Sequence, residues 1–151
     1  MKPATRLSFP ARPAPAQHDD PVCFVIPYTH PSITREALAA AASLTGGLSA
    51  RVLVAAVHVV PFPADLHFPE LVRIHLEARL AELAAESPVA VEPVVVLARS
   101  EEEGIACIAP RGATVIIGAR KRLWPTRERR LALRLKRSGH SVAVLDLGGK
   151  S

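Results

Sequence analysis

The chain has 151 residues, 49% of them apolar, and a formal charge of +5. This excludes an intrinsically disordered chain and suits one domain with a sizeable core. No apolar run approaches the roughly 20 residues that cross a bilayer, and no apolar h-region marks a secretory signal.

Residues 1–20, "MKPATRLSFPARPAPAQHDD", contain four prolines and few large apolar groups. Proline removes backbone donors, so a disordered tail is expected here and a folded domain over 21–149. The first strand is "VCFVI", Val22–Ile26. The segment "PSITREALAAAASLTGG" predicts a helix, with Pro31 in its first turn, Ile33, Ala37, Ala41 and Leu44 on its apolar face, and Gly46 past its end. A second strand spans Arg51–Val60 and stops at Pro61. "PELVRIHLEARLAELAAES" predicts a helix with Val72, Leu76, Leu80 and Leu83 on one face. "VAVEPVVVLA" contains the third strand. "SEEEGIACIA" is a short helix, with Ser100 and Glu103 placed as a capping box and Gly104 weakening it. "ATVIIG" is the fourth strand, "PTRERRLALRLKR" a basic helix followed by Gly139, and "SVAVLDL" the fifth strand.

Strands that are apolar throughout are buried on both faces, which predicts an α/β fold with a mainly parallel, doubly wound sheet. Ligands of such sheets sit at the carboxyl ends of the strands. The loops to watch are "PYTHPS", "PFPAD" and "ARKRLW". The charge is uneven: residues 1–110 hold 8 Lys and Arg against 12 Asp and Glu, whereas residues 111–151 hold 11 against 2. Basicity is therefore a local property of the last quarter, as an anion-binding surface requires.

Three stretches carry a resemblance to the universal stress protein domain: "VIPYTHPSITREALAAAASL", "VLVAAVHVVPFP", and "ATVIIGA" with "SGHSVAVL". Together they cover about residues 21–147. The resemblance implies a Rossmann-like five-stranded sheet in the order 3-2-1-4-5, and homodimers through the last strand, with Val142, Val144 and Leu147 at the edge. It also implies a nucleotide site at Pro27, Tyr28, Thr29, Val57, Gly118, Ala119, Arg120, Lys121, Arg122 and Arg127. Some members bind ATP through a loop of Gly, two residues, Gly, nine residues, Gly and Ser or Thr. Here only Gly118 matches; Lys121, Leu131 and Ala132 occupy the other positions, and Thr29 stands where an aspartate is usual. Glycines let consecutive N–H groups close around phosphate, which Lys121 and Leu131 do not allow.

The expected role is a regulatory or binding module, not catalytic, with weak or no ATP binding; the cofactor stays unknown. One alternative is an adenine-nucleotide binder that uses basic side chains in place of glycines. Another is docking of the basic helix, through Arg130, Arg134 and Arg137, on an anionic partner, with nucleic acid disfavoured because Trp124 is the only large aromatic nearby. The histidines have no metal-ligand spacing, and no nucleophile–base pattern is visible. Cys23 and Cys107 lie in apolar surroundings, form no CxxC, and are expected as two buried thiols of a cytoplasmic protein.

Overall fold

The computed structural model describes residues 5–8 (backbone only), 22–46, 49–120 and 126–147. In chain order the elements are β1 (Thr5–Ser8), β2 (Val22–Pro27), α1 (Pro31–Thr45), β3 (Ala50–Val59), α2 (Glu70–Glu86), β4 (Glu92–Ala98), α3 (Glu101–Ile108), β5 (Thr114–Arg120), α4 (Arg127–Arg137) and β6 (Ser141–Leu147). They form one sheet in the order β1-β4-β3-β2-β5-β6. Strands β2 to β6 pair in parallel and reproduce the expected order 3-2-1-4-5.

The strand β1 was not expected. Thr5–Ser8, assigned from the sequence to a disordered tail, pairs antiparallel with β4, Thr5 opposite Leu97 and Ser8 opposite Val94. This short stretch lies between prolines and contains none, so it keeps every backbone donor. Its pairing covers an edge of β4 that would otherwise lie open.

The alternation of each strand sorts its side chains onto two cores. Ile26, Val52, Val54, Val95 and Ile116 meet Ala37, Leu38 and Ala41 of α1 and Leu80 and Leu83 of α2 on one face. Val25, Leu53, Val96, Val115 and Ile117 meet Ile105 and Ile108 of α3 and Leu131, Ala132 and Leu135 of α4 on the other. The buried stripe of α1 is Thr34, Ala37, Leu38, Ala41 and Thr45, so it is rotated from the expected one, and Leu44 is exposed. Gly46 caps that helix without entering the left-handed region.

Two glycines explain local geometry. Gly139 has φ +91° and ends α4: its N–H donates to the Lys136 carbonyl and that of His140 to the Leu135 carbonyl, a Schellman arrangement. Gly104 was expected to weaken α3. Its role is packing, because a Cβ there would lie 2.6 Å from Val57 Cγ1. The helix is capped as expected: Ser100 Oγ accepts from Glu103 N–H, and the Glu103 carboxylate accepts from Arg99 N–H.

Cys107, expected to be buried, is exposed, whereas Cys23 belongs to this second core; its burial raises its thiol pKa above the usual value, Arg51 acts in the opposite sense and Glu92 reinforces the rise. A raised pKa in the folded state gives stability that is complete below the ordinary thiol value and is lost as pH climbs through the raised one. Alkaline titration of stability should therefore show a loss above about pH 9 that is absent in Cys23→Ala. Gly104→Ala should cost about 1–3 kcal/mol by overpacking, read from denaturant unfolding, and Val57→Ala in the same chain should recover most of it.

Candidate functional site

At the carboxyl end of the sheet, α1 begins directly after β2, and α4 begins beyond the end of β5. The two helix N-termini meet at a cleft of about 290 Å³ lined by His30, Ser32, Ile33, Arg120, Thr126 and Glu128. Its position follows from Gly118. That residue lies within β5, and a Cβ on it would stand 2.9 Å from Ile33 Cγ2 and 3.1 Å from Leu147 Cδ1. The absence of a side chain lets the first turn of α1 settle against β5. Arg120, two residues on and on the same face, then reaches that turn.

The polar groups form a chain. The Arg120 guanidinium donates to Ser32 Oγ at 3.3 Å. Since guanidinium only donates, the hydroxyl accepts there and gives its own proton to His30 Nδ1, 2.9 Å away. The Ser32 N–H also points at Nδ1, at 3.3 Å, so His30 is the N-cap of α1. This assigns the imidazole proton to Nε2. On the facing helix, Thr126 Oγ1 caps α4 by accepting from Arg129 N–H at 3.3 Å.

The arrangement favours an anion. Both macrodipoles end at the cleft positive end first, although the Ser32 and Arg129 N–H groups already serve their caps. Arg120 adds a full charge. Glu128, in the first turn of α4, is the opposing element. A ligand that places a negative group beside Arg120 and a hydroxyl or amine beside Glu128 satisfies both.

Most of the residues expected here lie elsewhere. Among the described residues, Arg120 is the one named candidate that lines the cleft. Pro27 is buried at the end of β2, and Ala119 is fully buried. Tyr28 packs into the core under α1 and α2. The Thr29 N–H turns toward Thr34 Oγ1, 3.5 Å away. Val57 is partly buried and packs beneath Gly104 of α3. Gly118 lies within β5, packed against the first turn of α1. Leu131 and Ala132, at the last two loop positions of the resemblance, are core residues of α4. Arg127 is drawn away by an ion pair with Glu101 of α3. Lys121 and Arg122 lie outside the described residues.

Ser32, Ile33, Thr126 and Glu128 were not singled out as site residues. Their signal was present as helix-start chemistry: a hydroxyl beside Pro31, and a threonine preceding an acidic first turn.

No protein-family model matches the chain, and no curated protein matches it. Solved structures do. A protein of the universal stress protein family from Burkholderia pseudomallei superposes with a TM-score of 0.55 at 19% identity, over 83% of this chain and 96% of that one. A universal stress protein in complex with cAMP superposes with a TM-score of 0.53 at 14% identity, over 83% and 96%. The chain therefore has the universal stress protein fold.

The cap is testable. His30→Ala should lower stability by about 1 kcal/mol, while His30→Asp, which also accepts from the helix N–H, should retain it; thermal unfolding of the two variants makes the comparison.

Proposed function

We propose that the protein is a non-catalytic binding module that takes a small phosphorylated ligand of the mononucleotide class in the cleft between α1 and α4. The observation that carries this is the convergence of two helix N-termini on Arg120, with Glu128 opposite. The phosphate lies at Arg120 and the helix N–H groups, and a ribose hydroxyl or an amino group donates to Glu128. The neighbouring universal stress protein structure with cAMP supports a ligand of this size and chemistry.

ATP is a poor fit. A cleft of about 290 Å³ is at the lower end of ligand-site volumes. Gly118 is consumed by packing and Leu131 by the core, so the glycine loop that would wrap a triphosphate has no counterpart at those two positions. Among the described residues no helix is long and apolar enough to cross a membrane. The role assigned is regulatory: ligand occupancy joins α1 to α4 across the sheet end.

Calorimetry with AMP, cAMP and ATP tests the reading. AMP or cAMP should bind more tightly than ATP, and Arg120→Ala should weaken the binding about tenfold or more, the effect of losing a charge-assisted hydrogen bond. Glu128→Gln should strengthen inorganic phosphate binding, because it removes the opposing charge. A sub-micromolar dissociation constant for ATP, or affinity indifferent to Arg120, would overturn the assignment.

A further inference from the structure

We propose that His30 is a proton switch on the cleft, so that a phosphorylated ligand binds together with a proton; this rests on the ligand reading above. With the imidazole neutral, the donors at this end of the cleft are spent on one another. The Arg120 guanidinium donates to Ser32 Oγ at 3.3 Å, the Ser32 hydroxyl gives its proton to His30 Nδ1 at 2.9 Å, and the Ser32 N–H points at the same nitrogen at 3.3 Å. A single acceptor, Nδ1, closes the chain. Both donors of Ser32 are then turned away from an incoming phosphate.

A proton on Nδ1 reverses the chain. The nitrogen becomes a donor and no longer accepts. The Ser32 oxygen now takes hydrogen bonds from both His30 and Arg120, which fills its lone pairs and turns the hydroxyl proton toward the cleft. The Ser32 N–H loses its acceptor as well. One protonation therefore frees two donors at the start of α1 and adds a positive charge near Arg120. An anion in the cleft collects all three. The backbone that carries the imidazole stays in place meanwhile. The His30 carbonyl accepts from the Thr34 N–H and from Thr34 Oγ1, both at 2.9 Å, and Thr34 is buried.

The charges around the ring set the direction of the linkage. Arg120 of β5 and Glu128 of α4 line the same cleft. Farther along α1, Arg35 is paired with Glu86 of α2. Asp146 of β6 is held by Arg129 of α4, and Tyr28, just past β2, packs on the core. With the cleft empty, a charge on His30 faces Arg120 and the positive end of the α1 dipole. With an anion in place it faces the opposite charge. Proton and anion thus favour each other, and affinity falls as pH rises through the ordinary imidazole range.

Calorimetry of cAMP binding to the full chain tests the switch, because a phosphodiester keeps its charge across that range. Between about pH 8 and about pH 5.5 the affinity should rise about tenfold or more. Titrations in buffers of different ionisation enthalpy should show proton uptake on binding. His30→Asn still accepts from the helix N–H but takes no proton, so it should remove both effects. Glu128→Gln should keep them, which excludes that carboxylate as the titrating group. So should His140→Asn, which lies before β6 at the opposite end of the sheet. Thermal melts at each pH establish that the variants are folded. Equal cAMP affinity at the two pH values, or a pH dependence that survives in His30→Asn, would overturn the switch and leave the ligand reading standing. Absence of cAMP binding at both pH values would overturn the two together.

Discussion

The carboxyl end of this sheet depends on how closely α1 lies against β5, and that closeness depends on Gly118. A methyl group there would meet the Ile33 side chain at 2.9 Å and the Leu147 side chain at 3.1 Å. The Ile33 and Leu147 side chains would have to give way around it, pressing on the first turn of α1. A shift of that turn would carry Ser32, and with Ser32 the hydrogen bond to Arg120 that joins helix to strand. The cleft, its capping histidine and the Arg120 guanidinium at its edge therefore follow from one missing side chain. Gly104 does the same work on the opposite face, where it lets α3 sit on Val57 and closes that side of the sheet.

Electrostatics acts within this frame and does not build it. Opposite charges are spent locally: Arg127 on Glu101 and Arg129 on Asp146 tie α4 to α3 and to β6. Both pairs are exposed on at least one partner, so each is worth about 1 kcal/mol or less. Their larger effect is on what remains. Removing Arg127 from the cleft leaves Arg120 as its described cation, while the second half of α4 keeps its positive charge toward solvent. The basic quarter of the chain is thus divided between the cleft that Arg120 lines and an open face.

Several features were legible from the residues alone. Continuous apolar strands such as "VCFVI" and "ATVIIG" can be buried only from both sides, which dictates parallel strands and helices on each face. The caps at Ser100 and Gly139 were readable because a helix end has few chemical solutions. The cleft residues were less legible. Local spacing shows Arg120, Arg127, Lys121 and Arg122 as one basic cluster, and only a fold can show that Arg127 turns to an acid 26 positions earlier.

The sequence by itself determined the class of fold, the order of its elements and the region that carries positive charge, because hydrophobic period and charge are properties of neighbours along the chain. Tertiary structure decided the rest. It turned Gly104 from a flaw into a packing requirement, buried Leu131 in the core, rotated the buried stripe of α1 away from Leu44, and recruited Thr5–Ser8 as an antiparallel edge strand. Each of these depends on which atoms stand opposite a residue across the sheet or between helices. Distances of that kind are set when the layers close on one another, and a linear pattern does not contain them.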